Sequence, residues 1–278
     1  MSPATVTLIG ANYHSIPRDL NMKVIILAGG WGTRMGQHTE WVPKPMVYIG
    51  DKPMIWHVMK IYSHYGYRDF IVSAGVKSHI IKEYFLNFEA YSNDFTRDFS
   101  TGKLKFHTND TEIDWKVSIV DTGLDTLKGA RIKRLEQYLT EDNNMVTYGD
   151  GLGDLDISRL VDFHESHKKL VTITGVRPQA RYGELLESSG VVTAFSEKPR
   201  ISTGLVNGGF MVFRRGFLDY LTEKEDCDLE FGVLEELADK GEVMVYRHSG
   251  LWDSVDHDRD LARVTQLWNS SNAFWKIW

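Results

Sequence analysis

The chain has 278 residues, 42% of them hydrophobic and 25% charged, with a formal net charge of −6 at pH 7. That length carries a substantial core in one large α/β domain or two small ones, and the acidic balance argues against a nucleic-acid-coating protein. No apolar run approaches the roughly 20 residues that cross a bilayer, and the single cysteine, Cys227, excludes an intrachain disulfide framework and suits a reducing, cytoplasmic compartment.

Residues 1–21 lack the basic stretch and unbroken apolar core of a signal peptide. Asn12, Ser15 and Pro17 break any strand begun at 6–9, so the segment reads as a loosely ordered N-terminal extension, the product of an upstream start codon, or an arm for a partner subunit. A single domain over 22–278 follows. Residues 24–27 form a strand, and Ile55, Val58, Met59 and Tyr62 predict a helix over 53–65. Residues 70–74 predict a strand, 79–88 a helix, 103–109 and 117–121 two strands, and 129–138 a helix. A strand over 144–148 then ends on Gly149-Asp150-Gly151. This rhythm predicts an α/β fold, Rossmann-like, with a mixed, mostly parallel central sheet flanked by helices.

Beyond Asp156 come short strands at 171–176, 191–196, 209–213 and 243–246, with helices at 230–240 and 258–268. The domain therefore divides into a nucleotide-binding half, 22–156, and a sugar-phosphate-binding half, 157–278, that adds a mixed sheet region beside it. Ligands of open α/β sheets sit beyond the carboxyl ends of the strands, so the loops at 28–36, 74–77, 121–131 and 149–151 should share one crevice.

The most informative segment is Leu27-Ala28-Gly29-Gly30-Trp31-Gly32-Thr33-Arg34. It lacks the Gly-Lys-Ser/Thr of a Walker loop, and the third glycine of the dinucleotide fingerprint is displaced. Its glycines free the backbone to present N–H groups to a polyanion, and Arg34 adds a planar cation able to fork two phosphate oxygens. Lys44 follows between Pro43 and Pro45, which stiffen the chain around its ammonium. Together these residues predict phosphate binding.

This combination resembles the sugar-1-phosphate nucleotidyltransferases, and most closely their cytidylyl branch. The resemblance runs from Met22 to the C-terminus, through Trp56-His57, Lys60–Gly66, Val120–Gly123, Arg131–Arg134, Thr147–Gly151, Glu197–Pro199, Asn207–Phe210 and Trp275-Lys276. Departures are Val42 in place of a lysine, Gly75-Val76-Lys77, the stretch Leu229–Val233, and the loop between Arg200 and Asn207. The resemblance implies a nucleotide-diphospho-sugar transferase fold with a C-terminal sugar-binding extension, and a homo-oligomer. It also implies condensation of CTP with a sugar 1-phosphate, α-D-glucose 1-phosphate, to CDP-glucose and pyrophosphate. UTP or dTTP, another phosphorylated partner, and a silent nucleotide-sugar-binding homologue stay open.

On this resemblance Arg34 and Lys44 are catalytic, and Asp150 and Asp256 hold Mg²⁺, a hard cation that shares carboxylates with substrate phosphates. Leu27, Ala28, Gly29, Gly30, Gly32, Thr33, Lys77, Thr122, Arg131 and Gly149 bind the nucleotide. Glu197, Lys198, Asn207 and Gly208 bind the sugar phosphate. Asp253, Asp258 and Asp260 read as helix-start or solvated residues. His164 and His167, spaced i, i+3 without a third ligand, read as a helix surface rather than a zinc site.

Overall fold

The computed structural model describes residues 19–107, 113–178, 184–196 and 204–278. Its centre is a seven-stranded sheet built from β1 (Val24–Leu27), β2 (Asp69–Ala74), β3 (Lys116–Asp121), β4 (Asn143–Tyr148), β5 (Val171–Val176), β6 (Val206–Arg214) and β7 (Val243–Arg247). The spatial order is β7-β5-β6-β4-β1-β2-β3. β1 pairs parallel with β2 and β4, β2 with β3, and β5 with β7, while β6 runs antiparallel between β4 and β5. The mostly parallel sheet is therefore as expected, and three of the expected C-terminal strands continue it, whereas Val191–Ser196 pairs antiparallel with Glu184–Ser188 in a separate two-stranded sheet.

The core lies on both faces of β1, where Val24 and Ile26 face one apolar cluster and Ile25 the other. This is why the strand reads as an uninterrupted apolar run. Helix α1 (Met54–His64) is buried nearly all round, because the C-terminal segment covers its far side. Trp275 is fully buried there and donates from Nε1 to His57 Nδ1 at 3.3 Å. His57 Nε2 meets the Ile49 carbonyl at 3.0 Å, and burial holds the ring neutral, with its pKa lowered to about 4.

Several expectations differ. Residues 103–107 do not join the central sheet but form a hairpin with Asp94–Asp98. Their alternation of Lys103, Lys105 and His107 with Leu104 and Phe106 suits a ribbon in water rather than a strand buried on both faces. The helix expected over 129–138 is α2 (Lys128–Lys133) followed by a 3₁₀ turn, Glu136–Tyr138. The helix expected over 230–240 is broken at Gly232 (φ 111°), so that only Glu235–Asp239 is α-helical. A further helix, α3 (Ile157–Ser166), starts at Asp156, whose side chain accepts from Arg159 N at 3.0 Å. His164 lies on its buried face, not its surface, and shares the Thr172 hydroxyl with His167 at 2.8 Å each. Helix α4 (Asp258–Asn269) begins as read: the Asp260 side chain accepts from His257 N at 3.0 Å.

Candidate active site

Beyond the carboxyl ends of β1 and β4 opens a cavity of about 780 Å³. Tight backbone packing builds its floor. Gly149 N donates to the Leu27 carbonyl at 3.2 Å, and Val76 N to the Gly29 carbonyl at 3.3 Å. A Cβ on Gly29 would run into the Arg131 guanidinium, and one on Gly149 would meet Pro45 at 2.7 Å. Glycine is required at both positions because other chain segments occupy the side-chain space.

The glycine loop supplies Leu27, Ala28, Gly29, Gly30 and Gly32 to the lining, and Arg131, Gly149 and Asn207 join them. So do Lys44, Asp150 and Asp256, drawn from three distant parts of the chain. Lys44 stands in a 3₁₀ turn, Lys44–Met46, closed by Met46 N on the Pro43 carbonyl at 2.8 Å. Asp150 follows β4, and the antiparallel pairing of Gly151–Gly153 with Trp252–Ser254 sets it beside Asp256. Lys44 Nζ reaches Asp150 Oδ2 at 2.6 Å and Asp256 Oδ1 at 2.8 Å. Burial lowers the Lys44 pKa, but the charges and hydrogen bonds of Asp150 and Asp256 outweigh it, so the ammonium sits above its ordinary value. Burial raises Asp256 in turn, and Lys44, Ser254 and Arg34 more than offset that, leaving its carboxyl below the usual range.

An ammonium held by two carboxylates marks the space between Asp150 and Asp256 as one that accepts a cation. Two hard oxygen donors beside a glycine-rich loop are a donor set that suits Mg²⁺, with its remaining positions left to substrate and water. The residues present fit the metal. Among the described residues no cluster of three or more His, Cys, Asp or Glu side chains forms an all-protein cage.

Other expected residues stand elsewhere. Arg34 lies outside the lining, its side chain 73% exposed and 3.6 Å from Asp256. Thr33 is exposed and outside the lining. Lys77 also lies outside it: its backbone is left-handed (φ 55°) and its ammonium donates to the Thr39 carbonyl. Thr122 is buried and donates to the Ala74 carbonyl at 2.8 Å. Gly208 does not line the cavity, and its carbonyl accepts from Trp252 Nε1 at 2.8 Å. Glu197 and Lys198 fall outside the described residues, as do residues 1–18.

Arg131 lines the cavity but is 3% exposed, with both terminal nitrogens committed to the protein. Nη1 donates to Thr122 Oγ1 and the Gly123 carbonyl at 2.8 Å, and Nη2 to the carbonyls of Gly29 at 2.9 Å and Leu124 at 3.1 Å. This side chain ties the glycine loop to the loop after β3 rather than reaching for a ligand. Arg131→Met leaves those acceptors buried and unpaired, and is expected to destabilise the protein by roughly 2–4 kcal/mol. A lowered denaturant midpoint with unchanged slope checks this; an unmoved midpoint would remove the tie.

The cavity also contains residues that sequence reasoning missed. Trp31 Nε1 donates to Asp125 Oδ1 at 3.2 Å across its mouth. On the opposite wall Glu230 Oε1 accepts from Lys128 Nζ and from the Tyr148 hydroxyl, both at 2.5 Å, and Asn207 Nδ2 donates to that hydroxyl at 3.2 Å. Burial first, then Glu230, raises the Tyr148 phenol pKa, so it stays a donor. Tyr148 and Trp31 adjoin motifs that were recognised, whereas nothing local distinguishes Lys128 or Asp125 from surface charge.

The Nucleotidyl transferase family model matches residues 23–270. The chain is 41% identical over 258 residues to the glucose-1-phosphate cytidylyltransferase of Salmonella typhi, covering 92% of this chain and 100% of that protein. It is 39% identical over 257 residues to a probable glucose-1-phosphate cytidylyltransferase of Bacillus subtilis, with the same coverage. A solved UDP-glucose pyrophosphorylase from Acinetobacter baumanii superposes with a TM-score of 0.65 at 16% identity, over 92% of this chain and 95% of that one; this likeness shows the fold.

Proposed function

The chain belongs to the nucleotidyl transferase family, and from that premise we propose that it condenses CTP with α-D-glucose 1-phosphate, releasing pyrophosphate and CDP-glucose. The observation that carries the reading is the convergence of Lys44, Asp150 and Asp256 at the end of a glycine-loop cavity. In the reaction an oxygen of the sugar phosphate attacks the α-phosphorus of CTP, a P–O bond forms, and the bond to the β-phosphate oxygen breaks. The nucleophile is already an anion and needs no general base. The obstacle is bringing two polyanions together, which alignment and preorganised positive charge overcome.

Each residue has a part in this reading. The amides of Gly29, Gly30 and Gly32 and the guanidinium of Arg34 hold the triphosphate, and Lys44 neutralises charge on the α-phosphate. Asp150 and Asp256 hold Mg²⁺, which when bound offsets phosphate charge. Asn207, Glu197 and Lys198 serve the sugar phosphate. Arg131 and Thr122 position the nucleotide loops through side-chain bonds to the backbone carbonyls of Gly29 and Ala74. The division into halves at residue 156 is part of the same proposal, as is a cytoplasmic homo-oligomer whose exposed hairpin presents Phe95, Phe99 and Leu104. No helix among the described residues is long and apolar enough to cross a membrane.

CTP is expected to exceed UTP and dTTP by about 5- to 150-fold in kcat/KM. Cytosine offers a donor at N4 where uracil and thymine offer an acceptor, so a pocket that accepts from N4 is left with an unpaired buried group, at a cost of roughly 1–3 kcal/mol. With Lys77 outside the cavity, the backbone of the glycine loop and of residues 124–127 is better placed to read the base. Pyrophosphate release across four nucleoside triphosphates and a panel of sugar 1-phosphates tests the proposal. Equal rates with UTP or dTTP would leave only the broader nucleotidyltransferase activity.

A further inference from the structure

Lys44 presents a conflict that the proposed reaction must resolve; the inference below rests on the reading of Asp150 and Asp256 as metal ligands. Its ammonium bridges the two carboxylates at 2.6 and 2.8 Å, in the space assigned to the cation, with its side chain only 14% exposed. The second oxygen of Asp256 is also taken, by Ser254 Oγ at 2.9 Å. A divalent ion entering between the carboxylates therefore meets an occupied carboxylate and a resident positive charge. One of its three N–H donors stays free in this bridge, but its charge is already offset by two carboxylates and leaves little to neutralise an α-phosphate.

The surroundings allow an exchange. Pro45 is buried against Gly149, and Met46 N closes the turn on the Pro43 carbonyl, so the backbone around Lys44 is pinned. The four-carbon stem is the flexible part. Displacing Lys44 thus requires a swing of one side chain rather than a loop movement. An incoming triphosphate provides a new anionic partner for the ammonium, and its departure frees both carboxylates. We propose that Lys44 is an internal placeholder for the metal: it keeps the free enzyme's carboxylate pair neutralised, competes with divalent cations, and yields only to nucleotide. Nucleotide then enters before the metal or together with it.

The test uses the full chain and Mn²⁺ as the probe, with binding followed by the loss of its free-ion spin-resonance signal beyond the loss that the same CTP causes without protein. Without nucleotide, Lys44→Met is expected to bind Mn²⁺ at least tenfold more tightly than the unaltered protein, and Mn²⁺ should raise its melting temperature further. CTP should tighten Mn²⁺ binding on the unaltered protein much more than on the variant. Adding Asp150→Asn to Lys44→Met should abolish the gain. Equal Mn²⁺ affinities in two proteins that both melt cooperatively would overturn the placeholder, and so would a gain that survives Asp150→Asn. If Lys44→Met fails to melt cooperatively, Lys44→Gln, which offers one uncharged hydrogen bond, is judged by the same criterion. The metal-ligand reading fails separately: it is lost if CTP-dependent Mn²⁺ binding survives both Asp150→Asn and Asp256→Asn.

Discussion

Lys44→Met is expected to lower kcat by about 10²–10³-fold, the range for loss of one preorganised transition-state donor, or roughly 2.7–4 kcal/mol. The ammonium is held between Asp150 and Asp256 and its pKa is raised, so it carries its charge throughout the neutral range. Transferred to the α-phosphate, that charge meets the negative charge that builds as the two phosphates approach. The fold should survive, because Lys44 contributes a side chain to a cavity wall while the buried residues of its turn are Pro45 and Met46. Steady-state rates with saturating CTP and glucose 1-phosphate, alongside a melting curve, make the measurement. A well-folded variant with near-normal kcat would exclude Lys44 from the chemistry.

Removal of divalent metal is expected to abolish activity altogether, with full recovery on addition of Mg²⁺. Asp150→Asn and Asp256→Asn should each raise the Mg²⁺ concentration needed for half-maximal rate, since an amide oxygen is a weaker partner than a carboxylate for a hard cation. The two should not be equal in every respect. Asp256 is bound by Ser254 and approached by Arg34 as well as Lys44, whereas Asp150 has Lys44 as its ion-pair partner among the described residues. Asp256→Asn therefore also disturbs Arg34, and a weaker apparent affinity for CTP should accompany it. Full activity in a sample treated with EDTA would sink the two-carboxylate site.

Much of the scaffold was legible because its signals are local. The stretches at 24–27, 70–74 and 171–176 are strands buried on both faces, and that burial leaves runs of apolar residues interrupted only by small side chains such as Ser73, Thr172 and Thr174. The glycine loop was legible for a similar reason, since a loop packed this closely on Arg131 requires glycine at Gly29 whatever the rest of the chain does. Helix α3 could have been read from its Asp156 cap and the spacing of Ile157, Leu160, Val161 and His164. The broken helix at Gly232 and the separate hairpin at 103–107 depend on what packs against them, so periodicity did not decide them.

The amino-acid sequence by itself determined the strands of the mostly parallel sheet, the glycine loop at their carboxyl ends, and the charged residue types that line the cavity. Tertiary structure alone decided which way the long polar side chains turn. Arg131, Lys77 and Lys44 carry the same kind of charge on flexible stems. One is buried among carbonyls from several loops, one is turned to the Thr39 carbonyl, and one lies between two carboxylates. A cation settles where the fold concentrates unpaired oxygen, and those oxygens come from segments far apart in the chain. Sequence spacing records the presence of such a charge; only the assembled carbonyls and carboxylates select its partner.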